Sequence, residues 1–187
     1  QKLHPDLFYQ DRFRILPLLK EIGYQTGSGI IVGLPFQSYE SVVEDLILFH
    51  ELDLDMIGVG PYIPHPDTPG YQLFQYPENR LVPANEDMTY RIIALSRILC
   101  PEAMIPATTA LATVNLAWGR EQALKRGANV VMPNVTPVEY RRDYEIYPSK
   151  ACLQEKPEKC WRCLEERIES LGRKISTDYG HRKRGRC

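Results

Sequence analysis

A chain of 187 residues, 43% hydrophobic and with a formal charge of −1, is long enough to bury a core. Its charge is too balanced for a nucleic-acid footprint over the whole surface. No stretch is apolar and long enough to span a bilayer, and no secretory h-region opens the chain, so a cytoplasmic protein is expected. The five cysteines are an odd number without a signal peptide, which disfavours a disulfide framework. The chain opens on Gln1 rather than Met and its first residues read as the middle of a folded unit. A fragment of a longer protein is therefore expected.

The first predicted element is a helix from Leu7 to Ile22, stopped by Gly23 as a C′ residue, with Pro17 as a kink. A strand follows at Ile30–Val32 and closes on Gly33-Leu34-Pro35. Ser38 reads as the N-cap of a helix whose apolar positions run from Val42 to Leu52. The next strand, Met56–Val59, opens into Gly60-Pro61-Tyr62-Ile63-Pro64-His65-Pro66-Asp67-Thr68-Pro69, and Pro64 to Pro83 forms a long loop. Asn85 caps a helix to Leu99. Ala103–Ala107 is a third strand, Thr113–Trp118 a loop, Gly119–Arg126 a helix ending at Gly127, and Val130–Met132 a fourth strand. Beyond Pro133 the alternation stops, and a last helix runs from Cys160 to Leu171. Short apolar runs closed by Gly, Pro or hydroxyl residues are how buried parallel strands look where their carboxyl ends open into a site. Four of them alternating with helices predict half of a parallel β/α barrel or one doubly wound sheet. Four strands cannot close an eight-stranded barrel, so in the barrel case the chain supplies its second half.

Three of the cysteines crowd into twelve positions as Cys152-x7-Cys160-x2-Cys163. A Cys-x2-Cys pair brings two thiolates to one metal or cluster, which suits an iron–sulfur cluster or zinc; three reduced thiols near a helix start are the plain alternative. Thr108 and Thr109 close the third strand, where hydroxyls and free N–H groups suit a carboxylate or phosphate; two β-formers ending a strand explain them equally well. Met132 ends the fourth strand, facing the mouth or the core. His65 between two prolines and beside Asp67 reads as part of a rigid hydrogen-bonded loop rather than as a metal or acid–base group. Arg12 and Arg14 read as surface arginines, with Arg12 of interest if an anionic cofactor lies above it. Gly27, Gly29 and Gly33 flank a strand instead of opening a helix, so a dinucleotide-binding loop fails its context. Tyr144 and Tyr147, three apart, would share a helical face. The basic run His181–Arg186 reads as a solvated tail.

Together these residues resemble the FeFe-hydrogenase maturase HydE family of radical S-adenosylmethionine enzymes, related to biotin synthase and methylornithine synthase. The resemblance is carried by Gly33-Leu34-Pro35, the Gly60–Pro69 loop, Pro106-Ala107-Thr108-Thr109-Ala110, Gly127–Asn134, Tyr144-Glu145-Ile146-Tyr147-Pro148, the three cysteines, and the C-terminal Gly172-Arg173-Lys174 and Gly180–Arg184. It runs nearly end to end, and it implies the second half of a (β/α)8 barrel over residues 1–148, followed at 149–187 by an extension with the cysteine cluster and a basic tail. The family's Cys-x3-Cys-x2-Cys loop, which holds the 4Fe-4S cluster that cleaves S-adenosylmethionine, is absent from this sequence, as is the glutamate at the end of the preceding strand.

By the same resemblance Arg12 pairs with the cofactor carboxylate, while Met132 and the backbone near Val32 line the cofactor. Thr108 and Thr109 match an anion site, Met56 and Tyr147 line the cavity, and Cys152, Cys160 and Cys163 hold an auxiliary iron–sulfur cluster. The implied chemistry is reductive cleavage of the cofactor to a 5′-deoxyadenosyl radical, which attacks the sulfur of a cysteine-bound iron carbonyl cyanide precursor. The implied partner maturases are HydG and HydF. Three alternatives stand beside this reading: a biotin synthase-like or methylornithine synthase-like enzyme, a non-enzymatic iron–sulfur or zinc module, and a metal-free barrel anchoring phosphate at Thr108. The stretch Gly70–Pro83 is longer than the family's usual connection and is expected as a surface insertion near the mouth. Alone, the chain is expected to be inactive and to expose barrel edges that favour pairing or poor solubility.

Overall fold

The computed structural model describes residues 12–146, 148–151 and 157–182, with backbone only at 12, 13 and 157–160. Helix α1 (Arg12–Glu21) contains Pro17 and ends at Gly23, whose φ of +89° is the left-handed turn foreseen there. Strand β1 (Gly27–Val32) pairs in parallel with β2 (Met56–Pro61), placing Gly27 opposite Met56 and Val32 opposite Pro61. The crossover is helix α2 (Tyr39–Glu51). Its capping box is complete: the Ser41 N–H donates to Ser38 Oγ and the Ser38 N–H donates to Ser41 Oγ, each at 3.2 Å. Helix α4 (Glu86–Leu99) starts at Asn85, whose side chain accepts the Met88 N–H.

The two later strands contract to single bridges, Met56 with Met104 and Pro106 with Val130, both parallel. Prolines explain the contraction. Pro101, Pro106 and Pro133 interrupt those segments, and proline gives a ladder no N–H. The direction is kept: Ile57 N–H reaches Met104 O, and Asn129 and Val130 N–H reach Ile105 O. The described fold is thus α/β with a small parallel sheet, extended by bridges on the β2 side.

Helices cover one face of this layer. Ile57, Val59, Val32, Ala103, Ile105 and Ala107 pack there against Val42, Leu46 and Phe49 of α2 and Ile92 and Ile93 of α4. At about 25 cal/mol per Å² of apolar area removed from water, this cluster is the main source of stability.

Three short elements lie where loops were expected. Helix α3 (Pro69–Phe74) and a 3₁₀ turn at Pro77–Asn79 sit within the long Pro-rich stretch, and α5 (Thr109–Val114) includes the first two residues of the expected loop 113–118. Helix α6 (Gly119–Lys125) leads to Gly127, and a 3₁₀ segment (Val138–Tyr144) follows the last bridge. Helix α7 (Pro157–Ser170) lays Leu164 and Ile168 on the core.

The segment 173–182 then runs back along the amino ends of the strands. Arg182 is only 12% exposed there, pairing with Asp53 (2.6 Å), Asp55 (3.7 Å) and Glu102 (3.7 Å) and donating to the Asp53 and Leu54 carbonyls. This corrects the expected solvated tail at Arg182, where three carboxylates and two carbonyls fix the guanidinium; Lys183 to Arg186 lie outside the described residues.

Candidate functional site

The sheet face opposite the helices is almost free of side chains. Alternation sends Ile57 and Val59 to the core, so Gly58 and Gly60 take the other face with their register partners Gly29 and Ile31. A Cβ on Gly58 would meet only Ser28 O, at 3.8 Å, whereas one on Gly29 would stand 2.0 Å from Gly58 O. The first glycine leaves room above the sheet; the second lets the strands approach. Ile31 and Met56 on this face are 50% and 39% exposed.

At the carboxyl end of this face the chain turns three ways. A Cβ on Gly60 would come within 3.3 Å of Thr108 Oγ1, so Thr108 stands beside the end of β2. Thr108 is the N-cap of α5, and its hydroxyl accepts the Leu111 N–H at 3.4 Å. Thr109 opens the helix, and its carbonyl accepts the Thr113 hydroxyl at 3.0 Å, while among the described residues no hydrogen bond is made by its own hydroxyl. The strand-four end is held by Arg141, 1% exposed, whose Nε donates to Thr136 O (2.7 Å) and whose guanidinium reaches Asn134 O. Ala151 N–H donates to Thr113 Oγ1, tying that loop to α5.

The loop after β2 is rigid, as its composition foretold. His65 Nδ1 accepts the Asp67 N–H, and His65 O accepts both the N–H and the hydroxyl of Thr68. The stretch 70–83 lies mainly on the surface, anchored by buried Val82 and by the Tyr62 ring, which meets Phe74 edge-on at 5.2 Å beneath α3. The Tyr62 hydroxyl is buried without a hydrogen-bond partner.

The expected site residues fall into groups. Thr108 and Thr109 sit together at the strand ends. Val32 is fully buried in the core, and its carbonyl accepts the Tyr62 N–H at 2.8 Å. Met132 is 52% exposed just past the Val130 bridge. Met56 starts β2, four residues and roughly 13 Å along the strand from Gly60, so it is remote from the threonines. Cys163 is exposed and carries no disulfide. Tyr147, Cys152 and the side chains of Arg12 and Cys160 lie outside the described residues. Among the described residues, no three His, Cys, Asp or Glu side chains gather as a metal site, and no helix is long and apolar enough to cross a membrane.

Residues that sequence reasoning passed over include Tyr62, Arg141 and Gln37. Tyr62 was legible, being two residues beyond Gly60 and so on the same face. Arg141 carried no such signal, because the partners described for it above, Thr136 O and Asn134 O, are backbone carbonyls.

A parallel sheet face opened by Gly29 and Gly58, ending in a paired-threonine helix start and a hydrogen-bonded loop, is the candidate site, at the carboxyl ends of the strands where β/α folds place theirs. The chain is a relative of the FeFe hydrogenase maturase subunit HydE of Thermotoga maritima, with 47% identity over an alignment of 189 positions that covers 98% of this chain. It is also 29% identical over 152 residues to the 3-methylornithine synthase of Methanosarcina acetivorans. The chain spans half the length of the first relative and 40% of the second. No protein-family model matches it.

Proposed function

We propose that this chain forms half of a HydE-type radical S-adenosylmethionine enzyme acting in assembly of the di-iron subcluster of FeFe hydrogenase. The observation that carries the reading is the 47% identity to that maturase along nearly the whole chain. In this reading residues 1–148 are the second half of a (β/α)8 barrel, and 149–187 an extension that includes Cys152, Cys160 and Cys163 as ligands of an auxiliary cluster.

An adenosyl cofactor fits the glycine face, because Gly58 presents backbone and space where a side chain would stand, with Thr108 bordering that space over Gly60. Arg12 would hold its carboxylate by a bidentate pair, and the backbone near Val32 together with Met132 would line it. When bound with a reduced 4Fe-4S cluster, the cofactor supplies a 5′-deoxyadenosyl radical. The chain's own work is to orient and to exclude water. Thr109 offers a hydroxyl that no side chain or carbonyl among the described residues claims, suited to a substrate carboxylate or small anion, while Thr108 fixes the helix start beside it. Met56 and Tyr147 line the cavity. The substrate is a small organometallic cysteine adduct, and HydG and HydF are the partners in a cytoplasmic pathway.

The test pairs this chain anaerobically with the portion of the Thermotoga maritima relative that it does not match, with iron, sulfide, dithionite as the electron donor and S-adenosylmethionine supplied. Release of 5′-deoxyadenosine by the pair, and by neither chain alone, is expected. An iron-loaded complex that forms none would overturn the reading. Thr109→Val is expected to lower turnover about tenfold without moving the melting temperature, since Thr109 does not cap the helix.

A methylornithine synthase-type carbon-skeleton reaction is the second reading, favoured by the 29% identity to that enzyme. Formation of 3-methylornithine by the same pair would select it.

A further inference from the structure

Helix α5 is too short and too poor in helix formers to fix its own first turn. It has six residues, Thr-Ala-Leu-Ala-Thr-Val, and a helix of that length does not persist without contacts from outside. At its start Thr108 stands beside Gly60 at the end of β2. At its other end, about 9 Å on at 1.5 Å per residue, the helix stops on Asn115. Whatever fixes Asn115 therefore sets the direction in which Thr109 is presented.

That contact comes from Glu86, the first residue of α4. Its Oε2 accepts the Asn115 side-chain N–H at 2.8 Å and lies 3.1 Å from the Tyr90 hydroxyl, which is also 3.3 Å from Gly119 O. Asn115 passes the restraint on: its Oδ1 accepts the Trp118 N–H at 3.0 Å and its backbone carbonyl accepts the Gly119 N–H at 2.9 Å. One carboxylate oxygen thus ties the start of α4 to the turn between α5 and α6. An acid in the first turn of a helix ordinarily serves the helix dipole from solvent. The neighbouring Asp87 stands exposed in that role. Glu86 is partly buried instead and reaches across to another βα unit.

We propose that Glu86 is a positioning residue for the anion anchor at Thr108 and Thr109, acting through Asn115. This role rests on the reading of that pair as the seat of a substrate carboxylate, and it adds the group that orients the pair. Two βα units meet here: the stretch after β2 leads into α4, and the segment after the Met104 bridge leads into α5. Thr108 beside Gly60 registers the two units at one end of α5, and Glu86 with Asn115 registers them at the other. With both ends fixed, the Thr109 hydroxyl keeps a set distance from the glycine face. A hydrogen bond to a charged acceptor is strong enough to carry that restraint.

All of these residues lie in this chain, so the chain itself is the test object. The probe is S-methyl-L-cysteine, which carries the carboxylate of the proposed substrate without its metal. Its affinity is read from the Thr109 amide resonance during titration, with the melting temperature measured beside it. Glu86→Ala and Asn115→Ala are each expected to weaken the probe about tenfold. Glu86→Gln keeps an acceptor and should stay within about twofold of native, as should Asp87→Ala. Asn115→Asp sets two carboxylates against each other and should weaken the probe, and adding Glu86→Gln should restore it by reversing the bond. Ser38→Ala, which removes the α2 capping box, should lower the melting temperature and leave the affinity unchanged, separating position from stability. Native affinity in Glu86→Ala overturns the proposal, because the pair then needs no brace. Glu86→Gln as weak as Glu86→Ala also overturns it, because charge at the helix start is then what matters. A native Thr109 amide that ignores the probe removes the anchor and its positioning together, and leaves the half-enzyme reading to its own test by release of 5′-deoxyadenosine.

Discussion

At the scale of single residues, the structure concentrates charge away from the candidate site, under the amino ends of the strands. Burial tends to raise the Asp53 pKa, but hydrogen bonds from Lys20 and Arg182 outweigh it and hold the carboxyl below its usual range. The sign follows from linkage: a depressed carboxylate pKa adds stability above the unfolded value of about 3.9, and this is lost as pH falls through the folded value. The difference in urea midpoint between the native chain and Asp53→Asn should therefore be present at pH 7 and vanish in strong acid. Arg182→Ala should destabilise by about 2 kcal/mol, because it strips a partner from Asp55, a buried carboxylate. Thermal and urea unfolding measure it. Tyr62→Phe should be neutral or stabilise by about 1 kcal/mol, since it removes a buried hydroxyl with no partner; a clear loss of stability would show that the hydroxyl has a role in holding α3. Of these residues only Tyr62 was readable in advance, by its period-two relation to Gly60. Arg182 was read as tail because its partners lie more than seventy positions away, and charge composition carries no such distances.

At the scale of elements, legibility followed the strength of local signals. Helices α2 and α4 announced themselves through Ser38 and Asn85 and through buried positions at helical spacing. Helix α5 was passed over because its Thr and Val residues are weak helix formers; packing against α6 decides the matter. The contact is close. A Cβ on Gly119 would lie 2.2 Å from Leu111 O, and Tyr90 of α4 donates to Gly119 O and Glu86 Oε2. Burial and the Glu86 charge push that phenol well above the usual tyrosine range. Gly119→Ala should accordingly destabilise by about 3 kcal/mol, read by urea unfolding, and should displace the start of α5 that carries Thr108 and Thr109. Helix α3 had its own signal, a Thr followed by Pro at the first helical position, hidden by the surrounding prolines. The third and fourth strands were rightly placed but shorter than drawn, since proline was read there as a terminator and acts also as a missing donor.

At the scale of the whole molecule, the layer is open on the side away from its helices. Ile15 and Leu18 of α1 and Ile22 just beyond it are each at least half exposed, and Leu116, Met132 and Val135 are similarly bare. Apolar area of this extent marks an interface. Alone at micromolar concentration the chain should self-associate and bind a hydrophobic dye, and both properties should diminish when the unmatched portion of the relative is added; light scattering and dye fluorescence follow them. The parallel β/α character was legible from the rhythm of apolar runs, and the candidate site from the threonine pair. Which face would be bare was legible only in part, because alternation marks faces without saying what covers them.

The return of the chain from α7 to Asp53 has a consequence for biosynthesis. The Arg182–Asp53 pair closes a circuit across 129 positions, among the longest sequence separations in the fold. A nascent chain can assemble α2, β2 and α4 early, yet the clasp beneath the strands waits until synthesis has passed residue 182. Until then Asp53, Asp55 and Glu102 lack the Arg182 guanidinium, while Lys20 can already pair with Asp53.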